Sequence, residues 1–95
     1  MIYLMTGSIH SHLNKEQRMA GFARRAEWKY PASAKVIGEY WAAKSPQITT
    51  IFEADSYDPI LAIAIEWGDF MEIEVAPATT PEAGLAAAAK LLSGK

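Results

Sequence analysis

KVIGEYWAAKSPQITTIFEA, residues 35–54, decides the fold. Lys35–Ala43 and Ile48–Ala54 are rich in β-branched and aromatic residues, and both read as strands. Ser45-Pro46 between them is a turn signal, and the short separation predicts an antiparallel hairpin. Upstream, the region around Asn14 to Tyr30 reads as a helix. Asn14 is an N-cap, and Gln17 three residues later completes a capping-box pattern. Met19, Phe22, Ala23 and Ala26 recur at helical spacing and predict its apolar stripe. Pro31 sets the limit of that helix, because the residue before a proline disfavours helical backbone. Ahead of it, residues 2–9 read as a strand from their apolar and aromatic content.

Downstream of the hairpin, Asp55 or Ser56 caps a second helix, with Pro59 tolerated in its first turn. This helix, Ile60 to about Trp67, is nearly all apolar and is expected to be the most buried one. Gly68-Asp69 ends it. Met71–Ala76 alternates, with Met71, Ile73 and Val75 on one face and Glu72 and Glu74 on the other, as an edge strand would. Thr80-Pro81-Glu82 starts a last helix with cap, proline and acid in order, striped by Leu85, Ala88, Ala89 and Leu92.

The order is β-α-β-β-α-β plus a C-terminal helix. It predicts an α+β domain spanning 1–95: a ferredoxin-like βαββαβ unit whose four-stranded antiparallel sheet carries its helices on one face. Simple alternation sets Val36 and Tyr40 against Ile37 and Trp41, and Phe52 against Ile51. The first strand sets Ile2 and Leu4 against Tyr3, Met5 and Ile9. A sheet face in water should be polar. These strands are apolar on both sides, so the open face is expected to be covered by a second copy of the chain.

Composition narrows the classes of function. Hydrophobic residues are 51% of the 95 and charged residues 21%, a globular profile. The chain has no cysteine, which excludes thiol chemistry and cysteine-based metal sites and favours a reducing, cytoplasmic setting. No apolar run is long enough to span a bilayer. Met1–Ile9 is apolar but short and without a basic leader, so it is not expected to act as a secretory signal. Residues 1–47 hold seven Lys and Arg against three acids, and residues 48–95 hold two against eight. The two halves fold onto each other, so this asymmetry predicts internal complementarity rather than a nucleic-acid surface.

The stretches Val36-Ile37-Gly38-Glu39-Tyr40-Trp41, Phe52-Glu53-Ala54-Asp55, Glu66-Trp67-Gly68-Asp69 and Glu74-Val75-Ala76-Pro77 resemble the domain-of-unknown-function 3303 family. The resemblance runs from the first strand to the start of the last helix. It implies membership of the dimeric α/β-barrel superfamily, and hence a homodimer whose two sheets face each other. That superfamily includes cofactor-free monooxygenases, haem-degrading enzymes, lactone isomerases and many proteins without known activity, so the fold does not choose a reaction. The family's aromatic–histidine pair on the second strand reads Tyr40-Trp41 here.

Four groups of residues are candidates for function. His10 and His12 would share a side of an extended chain, as a metal or proton-transfer pair would require. No acid lies between His10 and Asn14 to complete a metal site, so no metal and no cofactor is expected. Tyr40, Trp41, Phe52 and Trp67, with Phe70, are expected either to line a flat pocket for a small apolar ligand or to build the core and dimer interface. In either case Trp41 reads as a buried aromatic. Glu53 shares a face with Thr49 and Ile51. A carboxylate against an apolar face is suited to acid–base work, and the alternative is an ion pair with Lys35. Glu53 and His10 are the two acid–base candidates. Arg24–Tyr30 interleaves cations with aromatics, as single-strand binders do, but it also reads as a helix C-terminus whose cations suit the dipole. Two functional classes follow. One is a non-catalytic small-molecule-binding or accessory protein. The other is a cofactor-independent monooxygenase or isomerase acting on a small aromatic or apolar substrate.

Overall fold

A computed structural model describes residues 1–94. The elements are β1 (Ile2–Ile9), α1 (Lys15–Glu27), β2 (Lys35–Trp41), β3 (Ile48–Glu53), α2 (Asp58–Trp67), β4 (Met71–Ala78) and α3 (Pro81–Ser93). The sheet order is β2-β3-β1-β4, and every neighbouring pair is antiparallel. This is the ferredoxin-like α+β arrangement with an extra C-terminal helix.

Local chemistry accounts for the element ends. The Asn14 side chain accepts from the Gln17 N–H at 2.8 Å, and the Gln17 side chain accepts from the Asn14 N–H at 2.9 Å. Both halves of the capping box are therefore made. Thr80 caps α3 through Oγ1, 3.2 Å from the Ala83 N–H. For α2 the expected caps are displaced. The N-cap is Tyr57, and the Ser56 hydroxyl only reaches the Asp58 N–H at 3.4 Å. The helix starts two residues earlier than its apolar pattern, because Pro59 fits within the first turn. The strand ends also move: β2 stops at Trp41 and β4 runs on to Ala78.

The core lies between the sheet and the first two helices. Tyr3 and Met5 of β1, Ile48, Thr50 and Phe52 of β3, and Met71 of β4 point into it. They meet Ile60, Ile63 and Trp67 of α2, which buries more residues than either other helix. Phe52 is fully enclosed, with 0% of its surface accessible.

The α1 stripe is corrected. Met19, Ala23 and Ala26 are exposed, and the inward residues are Arg18, Gly21, Phe22 and Arg25, also at helical spacing. Two arginines occupy that face because their guanidinium groups find partners while their stems pack. Arg18 donates to the Leu13 and His10 carbonyls. Gly21 allows the closest approach, since a Cβ there would strike the ring of Phe70.

The alternation of β2 is corrected as well. The pairing shifts between Val36 and Gly38, so Val36 faces Phe52 while Glu39 faces Thr50 and Trp41 faces Ile48. This β-bulge inserts one extra residue and changes the phase of the strand. Val36, Glu39 and Trp41 therefore lie on the helix side, and Tyr40 lies on the open side with 67% exposure. Trp41 is not a buried aromatic; it is 54% exposed at the margin of the core.

The open side carries Ile2 and Leu4 of β1, Tyr40 of β2, Ile51 of β3, and Ala76 with Glu72 and Glu74 on the β4 edge. α3 buries none of its residues, and Leu85, Leu91 and Leu92 are 71%, 75% and 76% exposed. The radius of gyration is 16.0 Å. A compact chain of this length would have about 12 Å, so α3 extends the molecule.

Candidate functional site

A pocket opens between α1, α2 and the helix side of the sheet. It is lined by Met5, Phe22, Arg25, Trp28, Tyr30, Glu39, Trp41, Ile48, Ile63, Trp67, Phe70 and Met71. Its free volume is about 20 Å³, room for about one water molecule. Six aromatic rings surround it, and they touch mostly edge to face. Trp28 meets Tyr30 at 4.7 Å between centroids and Trp67 at 5.6 Å, and Phe22 meets Phe70 at 5.9 Å. Trp67 meets Phe70 at 5.9 Å. Phe22 and Trp41 stack at 5.7 Å across the mouth.

One polar network enters this apolar enclosure, and Glu39 is its centre. Glu39 Oε1 accepts from Arg25 Nη2 and from the Tyr30 hydroxyl, each at 2.7 Å. Glu39 Oε2 accepts from the indole Nε1–H of Trp41, also at 2.7 Å. The Tyr30 hydroxyl lies 3.3 Å from Thr50 Oγ1, the buried polar side chain of the core. Arg25 also donates to the Trp28 carbonyl and sits 5.1 Å from the Tyr30 ring centroid.

Burial acts to raise the Glu39 carboxyl, but the bonds from Trp41, Tyr30 and Arg25 outweigh it and hold the group below its ordinary value. Burial also pushes the Tyr30 hydroxyl up, so it stays protonated. The site at neutral pH is thus a carboxylate, a phenol and a guanidinium, each hydrogen-bonded within aromatic walls.

A second ion pair braces the pocket from outside. Arg24 forms a fork on Asp69 at 2.9 and 3.1 Å and donates to the Glu66 carbonyl at 3.1 Å. Its guanidinium lies 4.0 Å from the Trp67 ring centroid. The hydrogen bond from Arg24 holds the Asp69 carboxyl below its ordinary range. Arg24 and Arg25, adjacent in sequence, thus fix the end of α1 to α2 and to β2.

The residues singled out in the sequence separate in space. Trp41 and Trp67 line the pocket. Phe52 lies behind it, edge-on to Tyr30 at 5.3 Å, and Tyr40 projects from the other side of the sheet. Glu53 does not reach the pocket. It is exposed in an open cleft at the end of β3 with Ser33 and Lys35, and no ion pair with Lys35 forms. His10 is a tie between segments: its Nε2 lies 2.8 Å from the Gly68 carbonyl, and its ring stacks on His12 at 5.4 Å. Among the described residues no group of three or more His, Asp or Glu is placed to hold a metal ion. Among the described residues no helix is long and apolar enough to cross a membrane.

Glu39, the polar heart of the site, was not among the candidates, and Arg25 and Tyr30 were read only as parts of the Arg24–Tyr30 run, not as partners of Glu39. The signal for Glu39 was present in Gly38. An isolated glycine within a strand pattern marks a bulge, and a bulge places Glu39 on the side of α1.

Fold and pocket together define a ferredoxin-like α+β protein with an aromatic slot beneath its helices. The chain belongs to the family described as Domain of unknown function (DUF3303), whose model matches residues 1–92. No curated protein and no solved structure matches the chain.

Proposed function

We propose that the protein is a non-catalytic small-molecule-binding module that holds a small apolar or aromatic compound in the pocket beneath α1 and α2. The observation that carries this reading is a charged, hydrogen-bonded carboxylate inside an enclosure of six aromatic rings. Ligand sites combine an apolar lining with a few placed polar groups in this way. The alternative, a cofactor-independent monooxygenase or isomerase, needs a group that takes up a proton near neutral pH. Glu39 with three donors is held in its charged form, which makes it a poor base and favours binding over catalysis.

The module works as a homodimer, with the open side of one sheet against that of a second copy. Ile2, Leu4, Tyr40 and Ile51 support this, because an apolar sheet face is not left in water. It acts in the cytoplasm, where a cysteine-free chain is at no disadvantage. It has no nucleic-acid or membrane partner: Arg24 and Arg25 are committed to Asp69 and Glu39.

Two measurements test the reading. Calorimetric titration with benzothiophene, an apolar bicycle, is expected to saturate at one molecule per chain. Absence of saturable heat with any apolar bicycle at millimolar concentration would overturn the ligand site. Sedimentation equilibrium at low micromolar protein is expected to give the mass of two chains, and a one-chain mass would overturn the dimer.

A further inference from the structure

Trp41 occupies the pocket mouth in the manner of a ligand. Its indole is a flat bicycle stacked on Phe22 at 5.7 Å, and its N–H donates to Glu39 Oε2 at 2.7 Å. The two oxygens of Glu39 are held differently. Oε1 takes both of its donors, Arg25 and Tyr30, from side chains that are mostly covered. Oε2 takes its donor from a side chain that is 54% exposed and ends an edge strand. The bond at Oε2 is therefore the exchangeable one. The free space beside it holds only about one water, about 20 Å³, so a bicyclic compound enters only where the indole leaves.

We infer that Trp41 is an internal stand-in for the ligand, and that the ligand is a planar aromatic compound carrying an N–H or O–H donor that replaces the indole N–H on Glu39 Oε2. This deepens the reading of the pocket as a ligand site and rests on it. An apolar compound without a donor would displace Trp41 and leave a carboxylate oxygen unpaired beside aromatic walls. Such an oxygen loses a charge-assisted bond. A compound with a donor exchanges one bond for another, and the ring stacking on Phe22 is renewed.

The test uses indole and benzothiophene, which have nearly the same shape but only one of which has a donor. In calorimetric titration of the intact protein, indole is expected to bind about tenfold tighter than benzothiophene, the difference of one hydrogen bond to a charged group. Glu39→Gln is expected to reduce that preference to less than about threefold, because the acceptor loses its charge. Trp41→Phe keeps the stack on Phe22 but removes the competing N–H. It is expected to tighten both compounds by about tenfold, because neither then has to break the Trp41–Glu39 bond, and to leave the preference for indole in place. This variant alters an exposed side chain, so it keeps the test open if Glu39→Gln folds poorly. Equal binding of both compounds to the unaltered protein, or indole binding unchanged in Trp41→Phe, would overturn the inference while leaving the ligand site in place. Failure of both compounds to bind would overturn the ligand site itself.

Discussion

The two sides of the sheet have similar composition and opposite circumstances. On the helix side, Tyr3, Met5, Ile48, Phe52 and Met71 are buried beneath α1 and α2. On the other side, Ile2, Leu4, Tyr40 and Ile51 form a second apolar surface that no described element of the same chain covers. Apolar content shows that a surface has to be covered, but not by what. Coverage is decided by the connections: both crossover helices return over the same face, as the right-handed βαβ crossover requires. The polar network follows the covered side too, since Glu39 is drawn inward by the bulge and meets donors only there.

The sharpest way to break this contrast is to remove a ring from each side. Phe52→Ala is expected to cost about 3–5 kcal/mol in chemical denaturation, the cost of a large enclosed aromatic. Tyr40→Ala in dilute protein, where copies are apart, is expected to stay within about 0.5 kcal/mol. Similar losses for the two would mean that the sides are equally packed within one chain.

Two helical glycines refine the comparison. Alanine in a helix normally stabilises by about 1 kcal/mol relative to glycine. At Gly21 the added Cβ meets the Phe70 ring, so Gly21→Ala is expected to destabilise by about 1–3 kcal/mol through overpacking. At Gly84 on α3 the nearest atom is Thr79 Cγ2 at 3.6 Å, an ordinary contact. Gly84→Ala is therefore expected to stabilise. Thermal unfolding of both variants reads the two signs, and a stabilising Gly21→Ala would mean that α1 sits farther from the core.

At the margin of the covered side, Trp41→Ala is expected to cost about 1 kcal/mol. It loses one aromatic stack and one hydrogen bond but little enclosed surface. His12→Ala on an exposed loop is expected to stay within about 0.5 kcal/mol. Urea midpoints decide, and a loss at Trp41 as large as that at Phe52 would place the indole inside the core.

The smallest effect is in acid. The Glu39 carboxyl is held below its ordinary value of 4.5. A carboxyl lowered by folding contributes stability above its unfolded pKa, and that contribution is lost as the pH falls through the folded value. The stability gap between the unaltered protein and Glu39→Gln is therefore expected to narrow as the pH drops below 4.5. Parallel pH–stability curves for the two proteins would show that the network adds nothing to stability.

The parts legible in the sequence are those set by local chemistry. Asn14 with Gln17, Ser45-Pro46 and Thr80-Pro81-Glu82 each act within a few residues, and with the apolar runs between them they give the element order. The site was less legible, because it depends on one unpaired residue in β2 and on side chains whose character conflicts with their position. Arg18 and Arg25 lie on the inward side of α1 with their guanidinium groups hydrogen-bonded, so a search for an apolar stripe passed over them in favour of Met19, Ala23 and Ala26. Trp41 and Trp67 were found because tryptophan stands out by size. Glu39 was missed because its donors Arg25 and Tyr30 lie 14 and 9 residues away in sequence, on other segments.

The exposed state of α3 has a kinetic consequence. A helix of 13 residues that buries none of its residues is marginal in water, since its own hydrogen bonds barely offset the cost of nucleation. Its amide protons would exchange with solvent after local fraying alone, long before those of β1 or β3, which open only with the whole fold. Deuterium uptake along Pro81–Ser93 is thus a gauge of whatever docks on Leu85, Leu91 and Leu92: each increment of coverage slows exchange there and leaves the central strands unchanged.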